Sequence, residues 1–419
     1  MLQPPSIQPL IPQQHTLPNG NTLHLFPNDA IGIVKLDITL EAGSAYQTLK
    51  SQAHAANQLF GEATAIHSAE HIAQFLDFHG IVVERSADVC QSNISYYFLR
   101  KFADQLLPLI AESFQQPLVT PQLFQSYLSR RTNQISTNLQ KTSYQARNRY
   151  YQLLYGFQHP IGTYALPADL QHLTLQAVQD FIHLHYSLAH AHLILSGPID
   201  DQLLALADQY LAPTSTTAPT APLPLTVTPQ PYVPTSHITL PNNVQSTIRI
   251  GRLLPFPWHS LDYTRFMVLN TLLGGYFGSR LMSNLREDKG YTYGIYSQTQ
   301  IFRNSIALYI TADVAAQSTP DAVHQIFQEI NRLQQEPVTD AELDRVRNYM
   351  MGDFIRSIDG TFEISERYRQ MVSTQVDERL STNLMETLAD VTPAQLQTLA
   401  QSTLTDLLTV TAGPDPNQQ

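Results

Sequence analysis

Cysteine is nearly absent from this sequence. A single thiol, Cys90, in 419 residues excludes an internal disulfide framework and any cysteine-built zinc cluster, because both need several thiols, and it leaves the redox compartment open. Charge is also sparse: 24 Lys and Arg stand against 35 Asp and Glu, a net charge of −11. Nucleic-acid affinity comes chiefly from clustered cations that neutralise phosphates, so nucleic acid is set aside as a partner. No apolar run approaches the roughly 20 residues of a membrane span, and a membrane partner is likewise not expected. A glycine-rich phosphate loop and a nucleophile elbow are both missing. Met1–Leu10 (MLQPPSIQPL) has no basic start and two adjacent prolines where a signal peptide needs an apolar stretch. The sequence as written therefore reads as cytoplasmic, or as periplasmic if a leader is missing from it.

What is present fits a soluble protein of two or three domains, with 43% hydrophobic residues to build their cores. The clearest break is Ala212–Ser236, a Pro- and Thr-rich stretch suited to an extended linker. It separates an N-terminal domain, 1–211, from a C-terminal domain, 237–419. The two resemble each other. Thr16-Leu17-Pro18-Asn19 recurs 223 residues later as Thr239-Leu240-Pro241-Asn242. Gln116-Pro117-Leu118-Val119-Thr120 recurs as Glu336-Pro337-Val338-Thr339, where Thr339 and Glu342 predict a capping box. Thr174 and Thr392 each open a helical pattern followed by an apolar strand ending in Ser196-Gly197-Pro198 or Ala412-Gly413-Pro414. Four matches in order, at nearly constant offset, indicate an internal duplication. Alternating runs such as Gly32–Leu40 and Ser305–Ala312 predict half-buried strands, and 3.6-residue periodicity predicts helices over Gln122–Leu154 and Ala341–Ser357. The expected fold class is α+β: two duplicated domains, each an antiparallel β-sheet flanked by helices.

His67-Ser68-Ala69-Glu70-His71 matches His-x-x-Glu-His, in which two histidines one helical turn apart hold zinc and the Glu acts as general base. At about 100° per residue, a helix here puts Ile66, Ala69, Ile72, Ala73 and Leu76 on one face and both histidines on the other. A solvated polar face is the simpler reading, since catalytic zinc needs a third ligand and a walled cavity.

Several longer segments carry a resemblance to the insulinase, pitrilysin and mitochondrial processing peptidase family of zinc peptidases. They are Leu17-Pro18-Asn19-Gly20, Leu59-Phe60-Gly61-Glu62-Ala63-Thr64, His159-Pro160-Ile161-Gly162, Tyr186–Gly197, and, most specifically, Leu272–Leu281 (LLGGYFGSRL) with Leu285–Tyr293 (LREDKGYTY). The resemblance covers nearly the whole chain and implies the family's fold. It also implies a register in which the inverted zinc motif falls at His54-Ala55-Ala56-Asn57-Gln58 rather than at His67. His54 is then retained, Asn57 replaces the base Glu, Gln58 replaces the second His, and Gln134 stands near the third ligand. Amides are poor zinc ligands, and Asn57 cannot take a proton from water. Independently of any register, Ser113–Gln158 contains no Asp, Glu, His or Cys, so no carboxylate, imidazole or thiol ligand can come from that stretch. At the family's spacing, the literal His67 motif would draw its third ligand from near Arg147 or Asn148. His54 alone then reads as a relic or a packed core histidine, and no metal is expected in this chain.

The resemblance further implies that Arg286 and Tyr293, seven residues apart as in the family, reach a substrate held on the zinc of a facing domain. Chemically, Arg offers a fork of donors to a carbonyl, and a Tyr hydroxyl can stabilise an oxyanion. The plain alternative is an Arg paired with Glu287 or Asp288 and a Tyr packed on a sheet. Gly274, Gly275 and Gly278 resemble the family's substrate-turn glycines, where positive φ and close backbone approach are useful; a helix C-cap at Gly274 is the other reading. The expectation for function is a zinc-less subunit that contributes Arg286 and Tyr293 to peptide cleavage, inactive alone, with zinc in a homologous partner. The alternatives are a structural or assembly core protein of the same fold, and a single-chain zinc peptidase using His67, Glu70 and His71.

Overall fold

The computed structural model describes residues 11–30, 32–212 and 225–415. Its architecture is mixed α and β, with two sheets flanked by helices. The first sheet holds β1 (Gln13–Thr16), β2 (Thr22–Pro27), β3 (Ile33–Leu40), β4 (Val82–Ala87), β5 (Ser92–Leu99) and β6 (His192–Gly197), in the order β1-β2-β6-β3-β5-β4. The second holds β7 (Thr235–Thr239), β8 (Gln245–Leu253), β9 (Ile295–Phe302), β10 (Ser305–Ala315) and β11 (Leu408–Gly413), in the order β7-β11-β8-β10-β9. Setting aside the extra edge strand β1, the two orders are the same. Each sheet has one parallel pair, β2 with β6 and β7 with β11, among otherwise antiparallel neighbours. The sheets are therefore not purely antiparallel: the last strand of each half arrives by a long helical excursion and pairs parallel with the first. Of the expected linker Ala212–Ser236, residues 213–224 lie outside the described residues, and Thr235 and Ser236 are already in β7.

β3 explains how the first sheet is covered. Val34, Leu36, Ile38 and Leu40 point into the main core of the first half, yet Lys35, Asp37 and Thr39 on the opposite face are just as buried. A strand buried on both faces needs a second layer. That layer is the helix Thr361–Thr374, which belongs to the second half of the sequence. Asn28 Nδ2 donates to Thr361 Oγ1 at 2.6 Å, Lys35 Nζ to Glu366 Oε2 at 3.4 Å, and Tyr368 Oη meets His24 Nδ1 at 3.2 Å. Reciprocally, the helix Thr142–Tyr155 of the first half lies on the second sheet, where Ala146 and Tyr150 pack with Leu408, Val410 and Ala412. Each half thus lends one helix to the other. Arg303 also crosses between the halves, donating to Glu41 through both terminal guanidinium nitrogens.

The single helix expected over Gln122–Leu154 is two, Pro121–Leu139 and Thr142–Tyr155. Lys141 turns extended, and the Gln145 side chain satisfies the freed carbonyl of Leu139 at 2.8 Å. The break redirects the second helix onto the far sheet. Ala341–Ser357 forms Asp340–Arg356 with Thr339 as N-cap, but its capping box is half-made: Glu342 turns away to a bidentate pair with Arg280 at 2.8 and 3.0 Å. The reciprocal box forms instead at Thr392 and Gln395. Among the described residues no helix is long and apolar enough to cross a membrane.

Candidate functional site

His54, Asn57 and Gln58 sit on the short helix Gln52–Leu59, which starts from Ser51 in the left-handed region (φ 67°) and buries Ala53, Ala55, Ala56 and Leu59 in the first core. Asn57 is fully buried. Its Nδ2 donates to Ser92 Oγ at 2.7 Å and faces the carbonyls of Ser86 and Asn93 at 3.2 Å, tying the helix to β4 and β5, while its Oδ1 accepts from Gln58 Nε2 at 3.1 Å. A carboxylate, which only accepts, would oppose those two carbonyls. Position 57 is thus an amide by structural fit, with no proton-accepting group turned outward.

His54 Nδ1 lies 3.0 Å from Tyr127 Oη on the helix Pro121–Leu139. Burial, reinforced by the nearby Arg131 guanidinium, pushes the imidazole down to about 4. Gln134, the expected third-ligand position, is exposed and accepts a bond from Arg131 Nη1 at 2.7 Å. The set at this place is therefore one imidazole, amides engaged elsewhere and a fixed cation. Those groups do not fit zinc, which needs three or four anionic or imidazole donors. Among the described residues no group of three His, Cys, Asp or Glu comes together in a metal-holding arrangement.

The literal motif is also dispersed. His67 is not on a helix: Ser68 is the N-cap of Ala69–His79, so the two histidines do not share a regular helical turn. His67 Nδ1 pairs with Glu112 Oε1 at 2.8 Å, and its ring stacks on His71 at 4.7 Å with planes 15° apart. Near-parallel stacked rings do not aim their in-plane lone pairs at one point. Glu70 is exposed and accepts from Gln74 at 3.3 Å, one turn along the helix. Ile66, expected on the apolar face, is 63% exposed because it precedes the helix.

Arg286 lies in a π-helical segment, Met282–Asp288, closed by Tyr291 N donating to Leu285 O at 2.8 Å. It makes no ion pair with Glu287 or Asp288. Its guanidinium rests over the Phe277 ring at 4.7 Å. Tyr293 does not pack on a sheet either. Thr292 Oγ1 closes a tight turn on Gly294, donating to its carbonyl at 2.8 Å, and the Tyr293 ring projects outward, 91% exposed. Phe277 is also exposed and Arg286 is half-buried; none of the three side chains has a hydrogen-bond partner among the described residues. The positive φ expected at Gly274, Gly275 and Gly278 is not found; the left-handed glycine of this region is Gly290. Close approach is real at Gly274, where a Cβ would lie 2.7 Å from Ser297 Cβ on β9. Thr271–Gly275 is also π-helical, so Gly274 lies within that segment and is not a C-cap. π-Helical turns recur at functional sites because they aim side chains off the regular helical grid.

Sequence reasoning missed Tyr127 and the electrostatic part played by Arg131. Tyr127 precedes Gln134 by one heptad, which places it on the same side of its helix and was the available signal. It also missed Arg249, a lone cation inside the apolar strand pattern Ile248-Arg249-Ile250.

Residues 172–350 match the family model described as peptidase M16 inactive domain. The chain is 22% identical over 362 residues to the uncharacterized zinc protease YmxG of Bacillus subtilis, covering 83% of this chain and 85% of that one. It is 22% identical over 403 residues to the mitochondrial-processing peptidase subunit beta of Neurospora crassa, covering 91% and 83%. Among solved structures, a peptidase M16 inactive domain from Pseudomonas fluorescens superposes with a TM-score of 0.83 at 20% identity, over 97% of this chain and 99% of that one. A protease from Helicobacter pylori gives a TM-score of 0.83 at 18% identity, over 96% and 100%. With its paired sheets and its match to the inactive-domain model over residues 172–350, the chain is similar in sequence and fold to M16, insulinase-type zinc peptidases.

Proposed function

We propose that the chain is the zinc-less subunit of a two-chain metallopeptidase, lending Arg286 and Tyr293 to peptide cleavage at a zinc ion held by a homologous partner. The observation that carries this reading is an asymmetry. At the metal position the side chains have internal work: Asn57 binds two strands, His54 binds Tyr127, and Gln134 binds Arg131. Arg286 and Tyr293 have none. An Arg held over one exposed ring and a Tyr 91% exposed, neither with a hydrogen-bond partner among the described residues, are free to engage a docked substrate. Similarity to a protein named as a processing-peptidase subunit supports a subunit role for this chain as well.

In this reading a partner's zinc would supply the activated water that attacks the scissile peptide bond. Arg286 orients the substrate backbone through its donor fork, and Tyr293 donates its hydroxyl to the oxyanion that forms on the attacked carbonyl. This chain alone is expected to cleave nothing.

The test is to purify the tagged chain with the zinc-bearing homologue that accompanies it and to substitute Tyr293→Phe. One hydroxyl is lost and almost no packing, since the ring is in solvent. The complex should still assemble and cleave an unstructured peptide roughly a hundredfold more slowly, the usual effect of losing one oxyanion donor. Wild-type rates in the variant complex would make the pair structural and favour an assembly role.

A further inference from the structure

A cleft of about 520 Å³ opens where the N-terminal end of the helix Thr142–Tyr155 meets the second sheet; Lys141, Tyr144, Arg147, Arg249, Tyr296 and Asp313 line it. Three of these are permanent cations and one is a carboxylate. Asp313 accepts a hydrogen bond from Thr247. None of the three cations has a carboxylate partner among the described residues. Lys141 Nζ donates to Asn138 Oδ1 at 3.0 Å, and the Arg147 guanidinium lies 5.3 Å from the Tyr144 ring. Arg249 is 8% exposed; its guanidinium sits 4.0 Å from the centroid of Tyr309, with Tyr150 and Tyr151 at 5.2 and 5.3 Å. Its one hydrogen bond is a long one, Nη2 to Tyr151 Oη at 3.4 Å, and its buried Nε has no acceptor.

The helix adds to this. No side chain caps it, and Ser143 and Tyr144 in the cleft wall belong to its first turn, where N–H groups lack intrahelical acceptors and the helix dipole is positive. A guanidinium nine-tenths buried with an orphaned donor is stable only if an anion completes it or other terms offset a substantial penalty.

We infer that this cleft binds the carboxylates of acidic residues in an extended peptide. Arg249 and the helix terminus form the floor of the anion site, and the exposed Lys141 and Arg147 form its mouth. Gly294, which lines the cleft, directly follows Tyr293 in the chain, so the cleft lies next to the turn that carries the tyrosine. That the carboxylates belong to a peptide rests on the function proposed above; the anion site rests on the cations alone.

The test uses the full chain without any partner and measures fluorescence anisotropy of two labelled unstructured peptides, one with a glutamate cluster and one with glutamine at the same places. The glutamate peptide should bind about tenfold or more tightly, with affinity falling as salt rises, and Lys141→Gln with Arg147→Gln together should remove that preference. Both residues are exposed, so the double variant should fold; Arg249→Gln is the second variant and should reduce the same preference. Equal binding of the two peptides, or an undiminished preference in the double variant, overturns the proposal. Displacement of the glutamate peptide by millimolar inorganic phosphate, with phosphate bound stoichiometrically and no gain from the rest of the peptide, reassigns the site to a free anion and overturns the peptide assignment. Because no cleavage is measured, this result is independent of the Tyr293→Phe experiment, and either can fail while the other stands.

Discussion

His54, at the position where the resembling family holds zinc, should stay neutral far into the acid range, and this can be measured directly. Burial against Tyr127, reinforced by the Arg131 cation, lowers the imidazole from an ordinary 6.5 to about 4 in the folded protein. The unfolded chain has neither effect. As the pH falls below 6.5, the unfolded state takes up a proton that the folded state refuses, so stability present above 6.5 is lost progressively down to about 4. The gap between those two values corresponds to about 3 kcal/mol. Urea unfolding midpoints of the wild type and His54→Gln, compared between these two pH values, isolate the contribution: the wild type should lose stability across that window relative to the variant, which has no group to protonate. Carbon-13 chemical shifts of labelled histidine give the same quantity without unfolding. Arg131→Met should raise the His54 pKa only part of the way to its ordinary value, because burial is the larger cause. A His54 that titrates near 6.5, or parallel pH dependences of wild type and variant, would refute the account of His54 as a packed core histidine.

Two further substitutions test the packing that positions the site. Lys35 and Asp37 are 2% and 1% exposed and 3.0 Å apart beneath the helix lent by the other half; Lys35→Met leaves a buried carboxylate unpaired and should cost about 3–5 kcal/mol in thermal or urea unfolding, with most of it regained by adding Asp37→Leu. Gly274→Ala places a Cβ 2.7 Å from Ser297 Cβ and 2.8 Å from its backbone nitrogen, so it should destabilise by about 1–3 kcal/mol, whereas Gly275→Ala, whose nearest neighbour is the Thr271 hydroxyl at 3.2 Å, should cost less.

The two clasps between the halves differ in chemistry. The helix Thr142–Tyr155 meets its borrowed sheet through Ala146, Tyr150 and apolar strand residues, with Arg249 of β8 against Tyr150 and Tyr151. The helix Thr361–Thr374 meets the other through Lys35, Glu366 and Arg369, with the Arg303–Glu41 pair nearby. Burial works to raise the Glu41 carboxyl, but the hydrogen bonds from Arg303 and Tyr46 outweigh it and hold it below its ordinary range. The stability it contributes is therefore present at neutral pH and is lost only as acid protonates it. The Arg303–Glu41 contact between the halves is thus acid-sensitive.

Much of this molecule was legible in the order of its residues. Alternation in Ile33–Leu40 marks a strand whatever surrounds it, because successive side chains leave a strand on opposite faces. Thr120, Thr174 and Thr392 mark helix starts, because their hydroxyls accept a hydrogen bond from the backbone two or three residues on. The repeated segments at near-constant offset anticipated two sheets of like topology, and the Leu285–Tyr293 signature anticipated the family. These signals are local or depend only on comparing the chain with itself. Other features needed the folded chain. Helical periodicity shows which face of Thr142–Tyr155 is apolar but not which sheet it covers, so the exchange of helices between halves, and the break at Lys141 that allows it, were invisible. No pattern distinguishes an Arg286 paired with its acidic neighbours from one held over Phe277, since rotamer and exposure depend on the π-helical turn beneath it. The position of Arg249 between three tyrosines and an uncapped helix end brings together residues about a hundred positions apart. Electrostatics acts through space, so only the tertiary structure could turn those scattered cations into one site.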